Sequence, residues 1–450
     1  MNELNADNVG MPKSSHRILF ATDIPFWRMS DGAHQRIASL YRYLARDPNV
    51  SQVFYLGSPD AESADLARDM GVDYQAFNSG KPPKNLLSRI QWYADATLHQ
   101  ARRWITRKSC NVLIAEGPRS LNLSDFRWPW AIQRFRETVA KFQPDTIVFE
   151  YIKMSYLLEA LSPEERQRIQ CVVDTHDILH RRAEQFFANG FPHWLMIDRQ
   201  QESEVLNQFD LIMAIQEREA EELRSMAPYS ETITVGHAVE LVKSTTSSDR
   251  VPTEEPPRQL KIGYIGSKNF SNWSAIRKFL QTAWPNVHEK NGDLCQLLIA
   301  GGICEWIEKR PATDAASPSR ITTEHLQSVQ LIGRVSSIEE FYDQIDVLIN
   351  PVEFGTGLKI KNAEALSFGK LLITTMQGFD GMPQSTRLAC KVVESVDEMG
   401  DAINSLTQDL SSIRPMQRLA SELAQTEFSP EFAYSELSDW LDRSNRNPHS

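Results

Sequence analysis

The sequence predicts an α/β protein of two Rossmann-like domains that face each other across a cleft. Apolar runs that do not alternate with polar residues are interspersed with segments of helical spacing, which is typical of parallel strands covered on both faces. Arg17–Ala21 and Leu260–Ile265 each follow a polar stretch and precede a helical pattern, so each is the expected first strand of a sheet. Residues 243–259 between the two halves are rich in Ser, Thr, Pro and Glu, which predicts a linker.

The chain divides into segments on this pattern. Residues 1–15 are expected to be a disordered lead-in, 16–242 an N-terminal domain, 260–425 a C-terminal domain, and 426–450 a helix and tail that could cap either domain. Ligands are expected beyond the carboxyl ends of the strands. Further strands are expected at Val53–Leu56, Val112–Ala115, Thr146–Phe149, Cys171–Asp174 and Leu211–Ala214 in the first half, and at Gln296–Ile299, Val329–Ile332, Val347–Asn350 and Leu371–Thr374 in the second.

Composition narrows the classes of function. The 450 residues carry a net charge of −11 and a pI near 5.5, which argues against a nucleic-acid binder because such proteins need a basic surface. No apolar run reaches the length that spans a bilayer, and the N-terminus lacks the hydrophobic region of a secretory signal. The five cysteines form no C-x-x-C pair, which indicates a reducing, cytoplasmic setting.

One glycine-rich loop in the second half carries the clearest chemical signal. Gly355 and Gly357 precede a predicted helix, where backbone N–H groups and the helix dipole favour an anion. Lys359 and Lys361 add positive charge, and Glu364 lies one turn further, where it can accept hydrogen bonds from hydroxyl groups. The loop could therefore hold a diphosphate and a ribose together. The alternative is an ordinary strand–loop–helix junction with surface lysines.

The same stretch resembles the C-terminal signature of family 4 glycosyltransferases, G-x-G-L-K-I-K-x-x-E-A-L-x-x-G-K. Ile265–Ser267 with Asn272 and Trp284–Pro285 is similar to the opening motif of that domain, and Val329–Val335 to the turn around the nucleotide base. The resemblance covers most of residues 260–382. It implies a GT-B fold and an enzyme that transfers a sugar from a nucleotide diphosphate sugar to a glycan or lipid-linked acceptor, with retention at the anomeric carbon.

The resemblance also implies roles for single residues. Glu364 binds the ribose hydroxyls, the Gly357–Lys361 backbone and the Lys361 side chain hold the phosphates, and Gly333–Val335 surround the base. The family often has a Glu-x7-Glu pair, and Thr356 stands at its first position, so the group that contacts the donor sugar is open. Lys268 is either a further donor-binding residue or an exposed loop lysine. The implied donor-binding set is Gly333, Arg334, Val335, Gly355, Thr356, Gly357, Leu358, Lys359, Lys361, Glu364 and Lys268.

The first half carries two further signals. Asp31 and Gly32 precede a helix and resemble the family's loop for the acceptor and the donor phosphate; a simple helix N-cap by Ser30 or Asp31 is the alternative. His176 and Asp177 follow the end of a predicted strand and resemble the family's Asp-x-His-Asp run. The resemblance implies that His176 points toward the donor sugar or its leaving phosphate.

The family resemblance also implies that Asp177 and Arg181 shape the site around His176. His176 and Asp177 are therefore the candidate catalytic residues. Asp174 either orients His176 or caps the next helix. Glu150, at another strand end, is a candidate for the cleft or, alternatively, for a core-edge or capping role, and the charges of 210–223 are interpreted as a solvated face.

Residues 81–108 are strongly basic, and their apolar residues follow helical spacing. They are interpreted either as a helix packed on the N-terminal core or as a peripheral contact with the inner face of a membrane. No Asp-x-Asp motif occurs, so neither a metal nor a cofactor beyond the nucleotide sugar is expected. The alternative functions are a GT-B epimerase or phosphorylase and a catalytically silent nucleotide-sugar-binding scaffold.

Overall fold

The computed structural model describes residues 16–46, 50–77, 97, 121–239, 259–309, 321–335 and 337–446, and within them two parallel sheets. The strands of the first sheet are β1 (Arg17–Thr22), β2 (Val50–Tyr55), β3 (Tyr74–Ala76), β4 (Thr146–Glu150), β5 (Gln170–Asp174), β6 (Leu211–Ala214) and β7 (Glu231–Thr234). Those of the second are β8 (Leu260–Ile265), β9 (Cys295–Ala300), β10 (Val329–Gly333), β11 (Val347–Asn350), β12 (Leu371–Thr375) and β13 (Cys390–Val393).

Each sheet is doubly wound, because its order reverses beside its first strand. The first runs β3-β2-β1-β4-β5-β6-β7 and the second β10-β9-β8-β11-β12-β13, with every pairing parallel. All residues of β4, β6, β11 and β12 are buried, as non-alternating apolar runs require. The predicted fold class is therefore confirmed. The strands β3, β7 and β13 were not foreseen.

Helices cover both faces of each sheet and bury a separate apolar core on each side. The helices of the first half are α1 (Gly32–Leu44), α2 (Ala61–Asp69), α3 (Pro129–Phe142), α4 (Pro163–Arg168), α5 (Leu179–Ala188), α6 (Arg199–Leu206) and α7 (Glu217–Met226). Those of the second half are α8 (Phe270–Lys278), α9 (Trp284–Asn291), α10 (Ile303–Lys309), α11 (Ile338–Asp343), α12 (Ile360–Ser367), α13 (Met376–Phe379), α14 (Val396–Gln408), α15 (Ile413–Glu427), α16 (Pro430–Ala433) and α17 (Ser435–Arg446).

The end of the chain returns to the first domain. Ala433, Tyr434 and Trp440 are buried in the core behind β1 and β7. The Tyr434 hydroxyl donates a hydrogen bond to Ser39 Oγ at 2.7 Å. Of the two domains that the C-terminal helix could cap, it covers the first, because its apolar face completes that core.

Some sequence predictions lie outside the described residues. These are the lead-in 1–15, the linker except Gln259, the strand Val112–Ala115, and the basic segment 81–108 except Thr97. Within the described ranges, every helix is too short or too polar to traverse a bilayer.

Candidate functional site

The glycine-rich loop between β11 and α12 has a backbone that only glycine adopts without strain. Gly355 has φ 116° and Gly357 has φ 73°. The helix that follows is fixed to the sheet by two amide side chains: Asn350 Nδ2 donates to Asn362 Oδ1 at 2.9 Å, and Asn362 Nδ2 donates to the Gly378 carbonyl at 2.8 Å. The start of α12 is thus held rigidly at the carboxyl end of β11.

First-domain side chains bind this loop directly. The Gly355 N–H donates to Gln185 Oε1 at 2.6 Å, and the Gly357 N–H donates to Glu219 Oε1 at 2.9 Å. Between them, the Thr356 hydroxyl donates to Asp177 Oδ1 at 2.9 Å. Three consecutive loop residues are therefore bonded across the domain interface, and the cleft is closed at this point.

The absence of a side chain at Gly357 permits this closure. A Cβ atom there would lie 2.5 Å from Asp177 Oδ1 and 2.9 Å from the His176 carbonyl oxygen. Gly32 is similar, because its Cβ would lie 3.3 Å from Ile360 Cδ1 at the start of α12. The structure therefore brings the Asp31–Gly32 loop and the end of β5 against the predicted donor loop.

The two lysines of the loop are partly buried and contact neutral groups. Lys359 Nζ donates to the carbonyl oxygens of Gly355, Thr356 and Gly357 at 3.3, 3.0 and 2.7 Å, and burial lowers its pKa. Lys361 Nζ donates to Asn272 Oδ1 at 3.0 Å and lies 4.5 Å from the centroid of the Tyr264 ring. Burial lowers the pKa of Lys361 to about 7. These are not the solvated surface lysines of the alternative interpretation.

Glu364 is buried on the inner face of α12, 5% exposed. The Tyr342 hydroxyl donates to Glu364 Oε2 at 3.0 Å and lies 3.1 Å from the Lys361 carbonyl. Burial raises the pKa of Glu364 to about 8, against the opposing effects of Tyr342 and Lys361. Sequence reasoning missed Tyr342, which lies on α11 and is brought to Glu364 only by the fold.

His176 lies just past β5 in a left-handed conformation, φ 58°. Its Nε2 is 2.8 Å from Glu150 Oε2 and 3.2 Å from Asp174 Oδ2, and its ring stacks on Tyr151 with centroids 4.1 Å apart. Burial disfavours the imidazolium, but Asp174 and Glu150 outweigh it and raise the pKa to about 9. The ring is only 5% exposed. Strained residues of this kind concentrate at functional sites.

Arg36, on α1, completes this group and was missed by the sequence analysis. It is 1% exposed, and its Nε and Nη2 donate to Asp174 at 2.8 and 2.6 Å. Its remaining hydrogen bonds go to the carbonyls of Val235 and Gly236. Burial would raise the pKa of Asp174, but Arg36 and then His176 hold it well below its usual range. Asp174 thus orients His176 and caps no helix.

We name Arg36, Glu150, Asp174 and His176 the strand-end cluster. Glu150, Asp174 and His176 place three potential ligand atoms within 4.8 Å of one another. We assign no metal to them, because the Arg36 guanidinium already supplies a cation to Asp174. Glu150 is fully buried, and burial raises its pKa. Its buried position beside His176 fits the core-edge interpretation of this residue.

Two predictions about charged residues near this cluster were wrong. Arg182, not Arg181, pairs with Asp177, whereas Arg181 is 47% exposed and pairs with Glu222 at 2.7 Å. The phase of α5 turns Arg182 inward and Arg181 outward. Glu219, assigned to a solvated face, is 6% exposed and binds Gly357; burial raises its pKa to about 8.

The remaining predicted residues lie at the edges of the site. Asp31 accepts hydrogen bonds from the N–H groups of Ala33 and His34, so it does cap α1. Lys268 pairs with Glu305, which is also 3.7 Å from Arg334. Gly333 ends β10 with φ 80°. Val335 and Leu358 pack on the edge of the second-domain core.

Comparison with known proteins agrees with this architecture. Residues 31–237 match the family model of the glycosyl transferase 4-like domain, and residues 259–409 match that of glycosyl transferases group 1. The chain is therefore a glycosyltransferase of the GT-B type with a family 4-like N-terminal domain. No curated protein sequence matches the chain.

Solved structures share the fold at low sequence identity. HepE of Anabaena, in complex with UDP and glucose, superposes with a TM-score of 0.63 at 13% identity, over 94% of this chain and 99% of that one. Sucrose-phosphate synthase from Thermosynechococcus elongatus superposes with a TM-score of 0.60 at 14% identity, over 95% of this chain and 98% of that one. A UDP-N-acetylglucosamine 2-epimerase, so described for Listeria monocytogenes, gives 0.54 at 10% identity, over 97% and 98%.

Proposed function

We propose that the enzyme transfers a sugar from a nucleotide diphosphate sugar to a glycan or lipid-linked acceptor, with retention and without a metal. The observation that carries the proposal is the closed contact between the glycine-rich loop and the end of β5, with Glu364 buried and Lys361 partly buried beside it. The structures of HepE with UDP and with UDP-glucose support a nucleotide sugar as the donor.

In this proposal the second domain binds the donor. The Glu364 carboxylate accepts hydrogen bonds from the ribose hydroxyls while Tyr342 keeps it oriented. Lys361 and the backbone of residues 357–361 hold the diphosphate, whose charge favours the protonated lysine. Gly333–Val335 surround the base. Because Glu219 occupies the Gly357 N–H, a phosphate that binds there displaces this carboxylate.

The first domain then supplies the acceptor and the groups nearest the reacting bond. Asp177 contacts Thr356 and lies beside Gly357, so it faces the sugar of a donor held by the loop. His176, held by Glu150 and Asp174, stabilises negative charge near the leaving phosphate when protonated. The leaving phosphate accepts the proton of the attacking acceptor hydroxyl. Backbone N–H groups, Lys361 and Lys268 stabilise the departing diphosphate in place of a metal.

A thermal-shift and binding screen of nucleotide sugars in chelator tests the donor site. One donor should stabilise the wild type, and Glu364→Ala should abolish that stabilisation because the variant lacks the carboxylate that accepts the ribose hydroxyls. Glu353→Ala is the matched control, since Glu353 is a nearby exposed carboxylate that pairs with Lys278. Donor hydrolysis by the wild type would then distinguish an enzyme from a scaffold.

Two results would overturn the proposal. Wild-type-like donor affinity in Glu364→Ala would show that the donor binds elsewhere. A wild-type protein that binds no nucleotide sugar in chelator would contradict the metal-free donor site altogether.

A further inference from the structure

A cavity lies in the first domain, and none of its lining residues belongs to the glycine-rich loop. It has a volume of about 160 Å³ and lies beyond the carboxyl ends of β1, β2 and β3. We name it the aromatic pocket, and its lining includes Asp23, Leu56, Phe126, Trp128, Trp130 and Tyr156. Pockets for drug-sized ligands measure roughly 300–1,000 Å³, so this one suits a single small ring.

The lining combines flat apolar surface with polar groups that lack partners. Trp130 Nε1 and the Tyr156 hydroxyl are buried and have no hydrogen-bond partner in the described part of the chain. Buried polar groups of native proteins are nearly always hydrogen-bonded, so these two donors need a partner that a water or the hydroxyl of a ligand supplies. An aromatic ring with a polar edge fits a sugar, whose C–H face is apolar and whose hydroxyls lie at its rim.

The charge of the pocket favours a neutral ligand. Asp23 is the charged residue of the described lining, and Lys153 Nζ lies 2.6 Å from Asp23 Oδ1. The two charges compensate each other, so within the described part of the chain an anionic ring entering the pocket would meet the Asp23 carboxylate, with Lys153 already paired to it. A neutral hydroxyl can instead donate to Asp23 and accept from Trp130 or Tyr156.

The pocket adjoins the strand-end cluster. Lys153 Nζ lies 5.4 Å from the centroid of the Tyr151 ring, and Tyr151 stacks on His176 at 4.1 Å. One aromatic side chain therefore separates the Asp23–Lys153 pair from His176. The pocket and the strand-end cluster therefore both lie at the carboxyl ends of first-domain strands.

We propose that the aromatic pocket binds a neutral sugar ring of the acceptor, and that Trp130, Tyr156 and Asp23 determine acceptor specificity. The inference rests on the proposed glycosyl transfer. The apolar face of the ring lies against the indole surface of Trp128 and Trp130. Its hydroxyls satisfy the Trp130 N–H and the Tyr156 O–H and donate to Asp23.

Saccharide binding to the full chain tests the pocket without any donor. The probes are the methyl glycosides of glucose, galactose, mannose and N-acetylglucosamine, together with glucuronic acid. Saturation-transfer NMR measures their binding. At least one neutral glycoside should bind, and the glucuronate should bind more weakly. Tyr156→Phe removes the hydroxyl and keeps the ring, and Trp130→Phe removes the indole N–H and leaves a smaller aromatic ring, so each should weaken binding by at least about 3- to 10-fold. Trp306→Phe, in the second domain, is the matched control.

The outcomes separate this inference from the proposed function. Three results would overturn the pocket assignment. They are an unchanged glycoside affinity in both Trp130→Phe and Tyr156→Phe, tighter binding of the glucuronate than of the neutral glycosides, and no glycoside bound at millimolar concentration. Donor affinity and donor hydrolysis should stay at wild-type levels in Trp130→Phe and Tyr156→Phe. Failure of the donor screen with intact glycoside binding would instead contradict only the proposed transfer. Circular dichroism of each variant verifies that it is folded.

Discussion

Two groups of buried charges in this molecule, the strand-end cluster and the proposed donor site, differ in how their pKa values shift. In the strand-end cluster, Arg36 and His176 lie within 3.2 Å of Asp174, and the paired charges move the pKa of Asp174 down and that of His176 up to about 9. In the proposed donor site, burial prevails and moves the pKa of Lys361 down to about 7 and that of Glu364 up to about 8. Asp174 and His176 therefore keep their charges, although burial raises the pKa of Glu150 beside them, whereas Lys361 and Glu364 tend toward neutrality.

The difference separates charges that are already paired inside the protein from charges that a ligand would pair. A buried ion whose partner is within hydrogen-bond distance is already stabilised, so it needs no ligand. Lys361 contacts an amide oxygen and an aromatic ring, and Glu364 a phenol, so each is stabilised as an ion only when a ligand supplies complementary groups. Four variants test this comparison.

The largest effect is expected from Arg36→Met. The variant leaves the Asp174 carboxylate buried without its guanidinium, and removal of one partner of a buried pair costs about 3–5 kcal/mol. Urea unfolding measures the loss. Arg181→Met is the matched control, because an exposed pair such as Arg181–Glu222 contributes only about 0–1 kcal/mol. Equal losses of unfolding free energy in the two variants would contradict the role of Arg36 in stabilising the strand-end cluster.

Gly357→Ala tests the contact that joins the two regions. The added Cβ meets Asp177 and the His176 carbonyl at a residue with φ 73°, so we expect a loss of stability of about 1–3 kcal/mol and weaker donor binding. Gly190→Ala is the control: Gly190 has φ 76° with no atom within 4 Å of the added Cβ. The excess loss in Gly357→Ala measures the domain contact. If the excess is absent, the closed contact does not form in solution.

His176→Gln tests the electrostatics of the cluster. The folded pKa of His176, about 9, exceeds the ordinary value of 6.5, so its stabilisation is fully present below pH 6.5 and is lost as the pH rises through 9. The free energy of unfolding of the wild type should therefore fall over that range relative to the variant, by as much as about 3 kcal/mol. Parallel pH dependences of the two proteins would refute the raised pKa.

Lys361→Arg sharpens the other side of the comparison. Lys361 is partly deprotonated at pH 8 in the free protein, whereas arginine stays charged. On binding the donor found in the screen, the wild type should take up as much as about one proton more than the variant. Calorimetry in buffers of different ionisation enthalpy measures this difference. Equal proton uptake would mean that Lys361 is already charged before the donor binds.

Much of the donor loop could be predicted because its signals are local. Gly355 and Gly357 stand where the backbone has positive φ, and Glu364 follows on the first turns of a helix, so spacing along the chain indicated their arrangement. The choice between Arg181 and Arg182 was not local in this sense. It depended on the phase of α5, which the strand before it and the packing around it decide.

The sequence by itself determined the two parallel sheets, the strand ends and the glycine-rich loop, because apolar runs and glycine positions act over a few residues. Only the tertiary structure decided which charges meet. Arg36 reaches Asp174, and Glu219 reaches Gly357, each across 138 positions of the chain. Pairings at that separation depend on how whole sheets and helices pack, since no periodicity or spacing in the sequence encodes the distance between two side chains brought together by the fold.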